Sequence, residues 1–351
     1  MGSNVVLKNA CIHGILQDLT VIDGKIAEIG KTNRDGIDCH GHTLRAGLID
    51  IHTHGCGGLD TMDSDLTALS ELYRKGGVTA FLPTTMTMPY EALMQVTETI
   101  PATDGATILG FHLEGPYLAE GAKGAQNSQY LREPDLAAFS RIPNVKMVTL
   151  APELAGAIPF IEGCDAIVCI GHTEADYDTC MDAARAGARC LSHTCNAMPP
   201  FHHRAPGPIG AALDAALYAQ VICDGIHIHP AMIRTLYRLF GKERMILISD
   251  SMRATGSPDG TYSFGGQEMR VEHGVARTLD GALAGSTSTL LDCVKAAISF
   301  GIPEEDAFHM ASATPAALLG VNKGLLEVGY DADFILLDQE NNLVDTFIFS
   351  K

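Results

Sequence analysis

The chain is short of positive charge. Its 24 Lys and Arg stand against 42 Asp and Glu, a net charge of −18 in 351 residues. A field of that sign repels nucleic acid and anionic lipid, so neither is an expected partner. An anionic substrate would need a local basic site to overcome it. No two of the ten cysteines are spaced as Cys-x-x-Cys. A chain of this length does not depend on disulfide staples, so small buried thiols are expected. Residues 1–6 carry no basic stretch leading into an apolar run, and no apolar run approaches the ~20 residues of a membrane span. These absences point to the cytoplasm, away from a membrane. Internal repeats and low-complexity segments are also missing. With 46% hydrophobic and 19% charged residues, the composition is that of an ordinary globular protein. The length suits one large domain, or one large and one small.

What is present divides into three stretches. Residues 4–7, 19–22 and 25–29 are short β signals, with Asp23-Gly24 as a hairpin turn. Residues 333–337 and 343–349 read the same way. Both ends are therefore expected to build one small β-sandwich domain, residues 1–46 plus 325–351. Between them, residues 47–324 alternate apolar β-branched runs with helical stretches. Eight runs are found: 48–52, 80–83, 108–113, 146–150, 166–170, 189–192, 220–223 and 245–249. Helices are expected at 65–75, 90–100, 177–186 and 230–240, with Gly76-Gly77 and Gly187 as stops. Eight such units fit a (β/α)8 TIM-type barrel, although a doubly wound sheet could use most of them.

In such a barrel the chemistry collects at the C-terminal strand ends. The runs end in His52-Thr-His54, His112-Leu-Glu114, Gly171-His172, His193, Asp224-Gly-Ile-His227 and Asp250. Imidazole and carboxylate suit zinc and similar divalent ions. Residues i and i+2 of a strand share a face, so His52 and His54 can approach one ion. A bound divalent ion lowers the pKa of its water to about 7. An Asp beside that water can take a proton and return it to a leaving amine, and a neighbouring His can polarise a carbonyl. His-x-His alone is a weak signal: His40-Gly41-His42 also matches and is expected to be a structural turn. A lone strand-end His is more often a core residue, and Asp250 alone could be a helix N-cap. The recurrence across strand ends carries the functional reading.

The stretches Gly47-Leu-Ile-Asp-Ile-His-Thr-His-Gly55, His112-Leu-Glu-Gly-Pro-Tyr117, Gly171-His-Thr173, Ser192-His-Thr-Cys-Asn-Ala-Met198, Asp224-Gly-Ile-His227 and Ser249-Asp250 resemble the amidohydrolase superfamily. More narrowly they resemble its N-acetylglucosamine-6-phosphate deacetylase family, in order along nearly the whole chain to Gly329-Tyr-Asp-Ala-Asp333. The resemblance implies a metal-dependent amide hydrolase acting on a phosphorylated N-acetyl amino sugar. It implies that Glu114, His172 and His193 hold the ion, most often zinc, with iron, manganese or cobalt as alternatives. His52 and His54 match a pair that lets some members carry a second ion. Asp250 would be general base and acid, and His227 would stabilise the oxyanion. Asn196 and Ala197 would bind the sugar phosphate. Ala125, Asp224, Gly225, Ile226, His227, Leu283, Ala284 and Gly285 match substrate-contacting segments. Arg204 matches an Arg that reaches the phosphate of a neighbouring subunit, which implies a homodimer, and a bidentate guanidinium suits that task.

The chain departs from this pattern at Gln126, where the family usually has His near the phosphate end. Cys56, close to the His pair, is expected to pack. Other amidohydrolases often bridge two metals with a carboxylated Lys at the end of strand four. Here Lys146 lies at the start of that run, and Glu114 offers the substitute ligand. A non-catalytic sugar-phosphate-binding regulator would be expected to lose the base or a ligand, and all are present.

Overall fold

In a computed structural model covering residues 4–63 and 65–350, the middle of the chain forms a nearly closed parallel barrel. Residues 1–3, at the start of the first expected segment, and Lys351, at the end of the last, lie outside the described residues. The barrel strands are β1 (Leu48–Thr53), β2 (Val78–Thr85), β3 (Phe111–Glu114), β4 (Val145–Leu150), β5 (Ile167–Ile170), β6 (Cys190–Leu191), β7 (Tyr218–Ile222) and β8 (Met245–Ile248). They pair in chain order, every neighbour parallel. A backbone bond from Asp250 N–H to the His52 carbonyl, 2.9 Å, draws the β8 edge back to β1. The expected barrel, not the doubly wound sheet, is the observed fold.

The helices follow their strands: α1 (Leu66–Lys75), α2 (Tyr90–Thr97), α3 (Leu136–Phe139), α4 (Ala157–Gly163), α5 (Tyr177–Ala186), α6 (Gly207–Asp214), α7 (Pro230–Phe240) and α8 (Leu290–Ser299). Local chemistry sets their ends. Asp65 and Asp176 each accept a backbone N–H three residues on, and Thr289 with Asp292 forms a capping box. Gly187, at φ 126°, ends α5, a conformation that favours glycine.

Two apolar layers give the strands opposite faces. Leu48, Phe81, Phe111, Val148, Val168, Val221 and Leu247 pack under the helices. Ile49, Ile51, Ala80, Leu82, Met147, Cys169, Ile222, Ile246 and Ile248 fill the barrel interior, closed below by Leu318 and Leu319. This period-2 division is that of strands covered on both sides. The β1–β2 register slips between Asp50 and Thr53. That irregularity lets the inward face pass from Ile49 and Ile51 in the core to His52 and His54 at the mouth.

The chain ends combine in one seven-stranded sheet. Its order is 343–348, 333–337, 43–46, 5–12, 15–22, 25–29, with 37–38 also beside 5–12. Asp23 and Gly24 both have positive φ, 50° and 73°, as the hairpin turn requires. Leu7, Ile12, Leu19, Val21, Ile26, Phe334 and Leu336 form its separate core. A three-stranded sheet, Gly260–Phe264, Gln267–Glu272 and Val275–Thr278, follows β8 and was not expected from the sequence. It packs Phe264, Met269 and Val271 on Met86 and Met252, over the barrel mouth.

Candidate active site

The strand ends deliver their side chains by a shared device. His172, His193 and Asp250, each just beyond a strand, have positive φ of 48°, 22° and 48°. Non-glycine residues adopt this region at a cost that surrounding structure must offset, and such positions cluster at functional sites. Here the turn throws each side chain across the mouth instead of along the strand. Backbone bonds hold it there: Asp250 N–H donates to His52 O, and Ser286 N–H to Asp250 O at 2.6 Å.

Two donor sets result, sharing one carboxylate: His52, His54 and Glu114, and Glu114, His172 and His193. Glu114 Oε1 lies 2.9 Å from His193 Nε2, 3.3 Å from His172 Nε2 and 3.2 Å from His52 Nε2. Glu114 Oε2 lies 3.3 Å from His54 Nε2. Asp250 Oδ1 stands 3.3 Å from His54 Nε2 and 3.6 Å from His52 Nε2.

The outer ring nitrogens decide which inner ones carry lone pairs. His52 Nδ1 donates to Gln220 Oε1 at 2.9 Å, His54 Nδ1 to Thr84 O at 3.1 Å, and His172 Nδ1 to Ala122 O at 2.8 Å. Each acceptor is an oxygen without a proton, so in the neutral ring Nε2 is left bare and aimed inward. That is the tautomer a metal-binding imidazole needs. His172 Nε2 and His193 Nε2 face each other at 3.0 Å, a separation at which two lone pairs repel unless a proton or cation lies between them. Burial alone would raise the Glu114 carboxyl; the surrounding His52, His172 and His193 outweigh it and hold it well below the usual carboxylate range. Burial works against charge on His54, yet Asp250 and Glu114 raise it to about 10. The cage therefore calls for positive charge, and its donors fit a divalent cation.

His227 sits across the same mouth. Its Nδ1 donates to Asp224 Oδ2 at 2.6 Å, and its Nε2 lies 3.3 Å from Ala284 O. Burial disfavours charge on the ring, but the Asp224 carboxylate outweighs it and raises His227 above its ordinary value. A cavity of about 330 Å³ joins His54, Glu114, His172, His193, His227 and Asp250 to Ala125, Asn196, Ala197, Leu283, Ala284 and Gly285.

Not every sequence candidate lies on that wall. Asp224, Gly225 and Ile226 stand behind His227; Asp224 acts on the ring, and Ile226 is exposed. Arg204 is exposed in the loop before α6, outside its own chain's cavity, with Nη1 2.8 Å from His203 Nε2. His40-Gly41-His42 is a turn of the terminal sheet. Lys146 lies at the N-terminal end of β4, away from the mouth. Gln126 lines the cavity, and its Nε2 donates to Glu114 Oε2 at 2.6 Å. Sequence reading also missed Gln220, which orients His52. His112, named there at a strand end, had been given no role; its ring packs edge-on against His52 at 4.6 Å and is kept neutral by burial and by His52. Phe264, edge-on to His54 at 5.1 Å, was missed too. Only His112, inside the His-Leu-Glu motif, had a local signal.

A family model for the amidohydrolase family matches residues 43–351. The chain belongs to the amidohydrolase family. This amidohydrolase is therefore an amide hydrolase, and the relatives it resembles are narrower still. It is 41% identical to an N-acetylglucosamine-6-phosphate deacetylase of Vibrio furnissii over 340 residues, covering 91% of this chain and 85% of that one. It is 36% identical to an N-acetylgalactosamine-6-phosphate deacetylase of Escherichia coli O157:H7, covering 93% and 92%. Among solved structures, it superposes on a Mycobacterium smegmatis N-acetyl-D-glucosamine-6-phosphate deacetylase variant in complex with N-acetyl-D-glucosamine-6-phosphate. The TM-score is 0.90 at 30% identity, covering 100% of this chain and 99% of that one. The Thermotoga maritima N-acetylglucosamine-6-phosphate deacetylase gives the same TM-score, 0.90, at 30% identity and 99% coverage of both chains.

Proposed function

We propose that this amidohydrolase hydrolyses the acetamide of an N-acetylhexosamine 6-phosphate, N-acetylglucosamine 6-phosphate first, to the amino sugar phosphate and acetate. The observation that carries the reading is the single cavity in which the Glu114, His172 and His193 donor set faces both Asp250 and His227. The names of the relatives supply the substrate class. Glu114, His172 and His193 would hold a divalent ion, zinc being the best match to the donors, and His52 and His54 would help hold a second. When bound, the ion supplies an acidified water and a Lewis acid.

The chain's own groups do the rest. Asp250 takes a proton from water as its oxygen adds to the acetyl carbon. The His227 ring, held through Nδ1 by Asp224, offers Nε2–H to the developing oxyanion in place of its 3.3 Å contact with Ala284 O. Asp250 then returns the proton to the amine nitrogen as the C–N bond breaks, leaving acetate and a free amine. Asn196 and the backbone at Ala197 bind the phosphate. Arg204 completes that site from a neighbouring copy of the chain in a homodimer, which is consistent with its exposed position outside its own cavity.

In this reading residues 1–46 with 325–351 are one domain and 47–324 the other. No helix among the described residues is long and apolar enough to cross a membrane, and all ten cysteines are free thiols, which supports a cytoplasmic enzyme. The galactosamine epimer is a second reading, favoured by the 36% identity to a deacetylase named for it. Acetate release from a panel of N-acetylhexosamine 6-phosphates decides between the two. Release from the glucosamine compound first supports the proposal, and no release from any member sinks it.

A further inference from the structure

Gln126 is buried, and the bonds around it form a closed brace on one metal-site carboxylate. Its Oε1 accepts the backbone N–H of Thr87 at 2.8 Å. That bond fixes which end of the carboxamide faces the site, because a flipped amide would set its oxygen against Glu114. Its Nε2 then donates to Glu114 Oε2 at 2.6 Å, with Met86 Sδ 3.8 Å away. Thr87 closes the loop by donating its hydroxyl to the Glu114 backbone carbonyl at 3.1 Å. Glu114 is thus gripped at its backbone and at one carboxylate oxygen by two residues that themselves hold each other.

The same short loop touches a second ligand. Ala122 O accepts from His172 Nδ1 at 2.8 Å, and Gln126 N–H turns the loop by donating to Lys123 O at 2.9 Å. Gln267, in the three-stranded sheet over the mouth, ties down the residue between, donating to Ala125 O at 2.8 Å. A free carboxylate can rotate about its last torsion and interchange its oxygens. With Oε2 held by the carboxamide, Oε1 is committed to His52, His172 and His193, and Oε2 is left on the side of His54.

We propose that Gln126 is a positioning residue that sets the Glu114 carboxylate, Oε1 toward His52, His172 and His193 and Oε2 toward His54, and so determines how tightly this centre holds its ions. The inference rests on the metal-centre reading above. Partners that orient a metal ligand typically contribute 10- to 100-fold in affinity.

The test is zinc affinity of the metal-free chain, measured by competition with a chelating indicator and without reference to turnover. Gln126→Met keeps the length and removes both polar ends. It should weaken zinc binding by about 10- to 100-fold. Gln126→His keeps one acceptor for Thr87 and one donor for Glu114, and should restore most of the affinity. An unchanged affinity in Q126M overturns the proposal. So does an equal loss in both variants, which would mean that shape and not the donor matters. If Q126M does not fold, the wild type still answers: in the metal-free chain the Gln126 carboxamide protons should exchange slowly with solvent. Exchange at the rate of an exposed glutamine overturns the brace. A wild-type chain that binds no zinc would instead remove the metal-centre reading itself.

Discussion

Replacing Asp224 by Asn tests whether charge on His227 contributes to the reaction. In the wild type Asp224 Oδ1 accepts the backbone N–H groups of Ile226 and His227, at 2.8 and 2.9 Å, while Oδ2 takes the His227 Nδ1 proton at 2.6 Å. Both side chains are nearly buried, at 3% and 7% exposure, so water cannot screen the pair. In D224N the carboxamide oxygen goes to the two backbone donors, and its NH2 is left facing Nδ1. The ring must then accept at Nδ1, and its one remaining proton sits on Nε2. The donor toward substrate survives, but its positive charge does not. A hydrogen bond to a charged group is worth about 1.5–3 kcal/mol and a neutral one about 0.5–1.5, so the loss is about 1–2 kcal/mol. That is roughly 5- to 30-fold in turnover.

The sign of the pH effect follows from the pair. Asp224 raises His227 above 6.5, so the wild type keeps the charged ring past that pH, and D224N should move this limb of the rate profile toward acid. For stability, the His227 contribution is full below 6.5 and fades as pH rises through its raised value. The Asp224 contribution is present above 3.8 and fades as pH falls through its depressed value. The stability gap between wild type and variant should therefore be widest between about pH 4 and 6.5. Acetate release across pH, thermal melts and metal content on the same preparations check all three points. Turnover within twofold of wild type with an unmoved profile would refute the role assigned to the His227 charge.

Other substitutions separate the remaining roles. Glu114→Ala removes the carboxylate common to both donor sets and should leave the chain unable to retain a divalent ion through dialysis; unchanged metal content would place the ion elsewhere. Asp250→Asn should lower turnover by at least about 100-fold, the scale of a lost general base, with metal still bound. Full activity in that variant would refute its place in proton transfer. Arg204→Ala should raise KM for a 6-phosphate substrate more than for the unphosphorylated sugar, whereas equal effects on both would show that the guanidinium does not touch phosphate.

Much of this arrangement was legible in the chain because it depends on short-range pattern. Buried parallel strands must be apolar on both faces, so the eight runs stood out, and their ends named Glu114, His172, His193 and Asp250 without reference to contacts. Boundaries moved where backbone geometry overrode composition. The run 108–113 is broken at Gly110, whose φ is 123°, so that Thr107–Ile108 is a separate short pairing on β2 and β3 begins at Phe111. The sheet at 260–278 escaped notice because its strands are short and largely polar outward, and its turns are Gly265-Gly266 and His273-Gly274. The contact between Gln126 and Glu114 was not legible for a different reason. The partners of Gln126, Thr87 and Glu114, are 39 and 12 residues away, and no local pattern reports which way a loop carboxamide points. Gln220 is likewise one polar residue in an apolar strand, and its partner, His52, lies 168 residues away in the chain.

The central claim is that this chain deacetylates a phosphorylated N-acetyl amino sugar through an ion held at Glu114, His172 and His193. Its most direct test is acetate release from N-acetylglucosamine 6-phosphate by one preparation, measured as purified, after chelation, and after zinc is restored, with bound metal determined at each stage. The expected result is turnover that disappears with the metal and returns with it. Undiminished turnover in metal-free protein, or none from any N-acetylhexosamine 6-phosphate in metal-loaded protein, would contradict it.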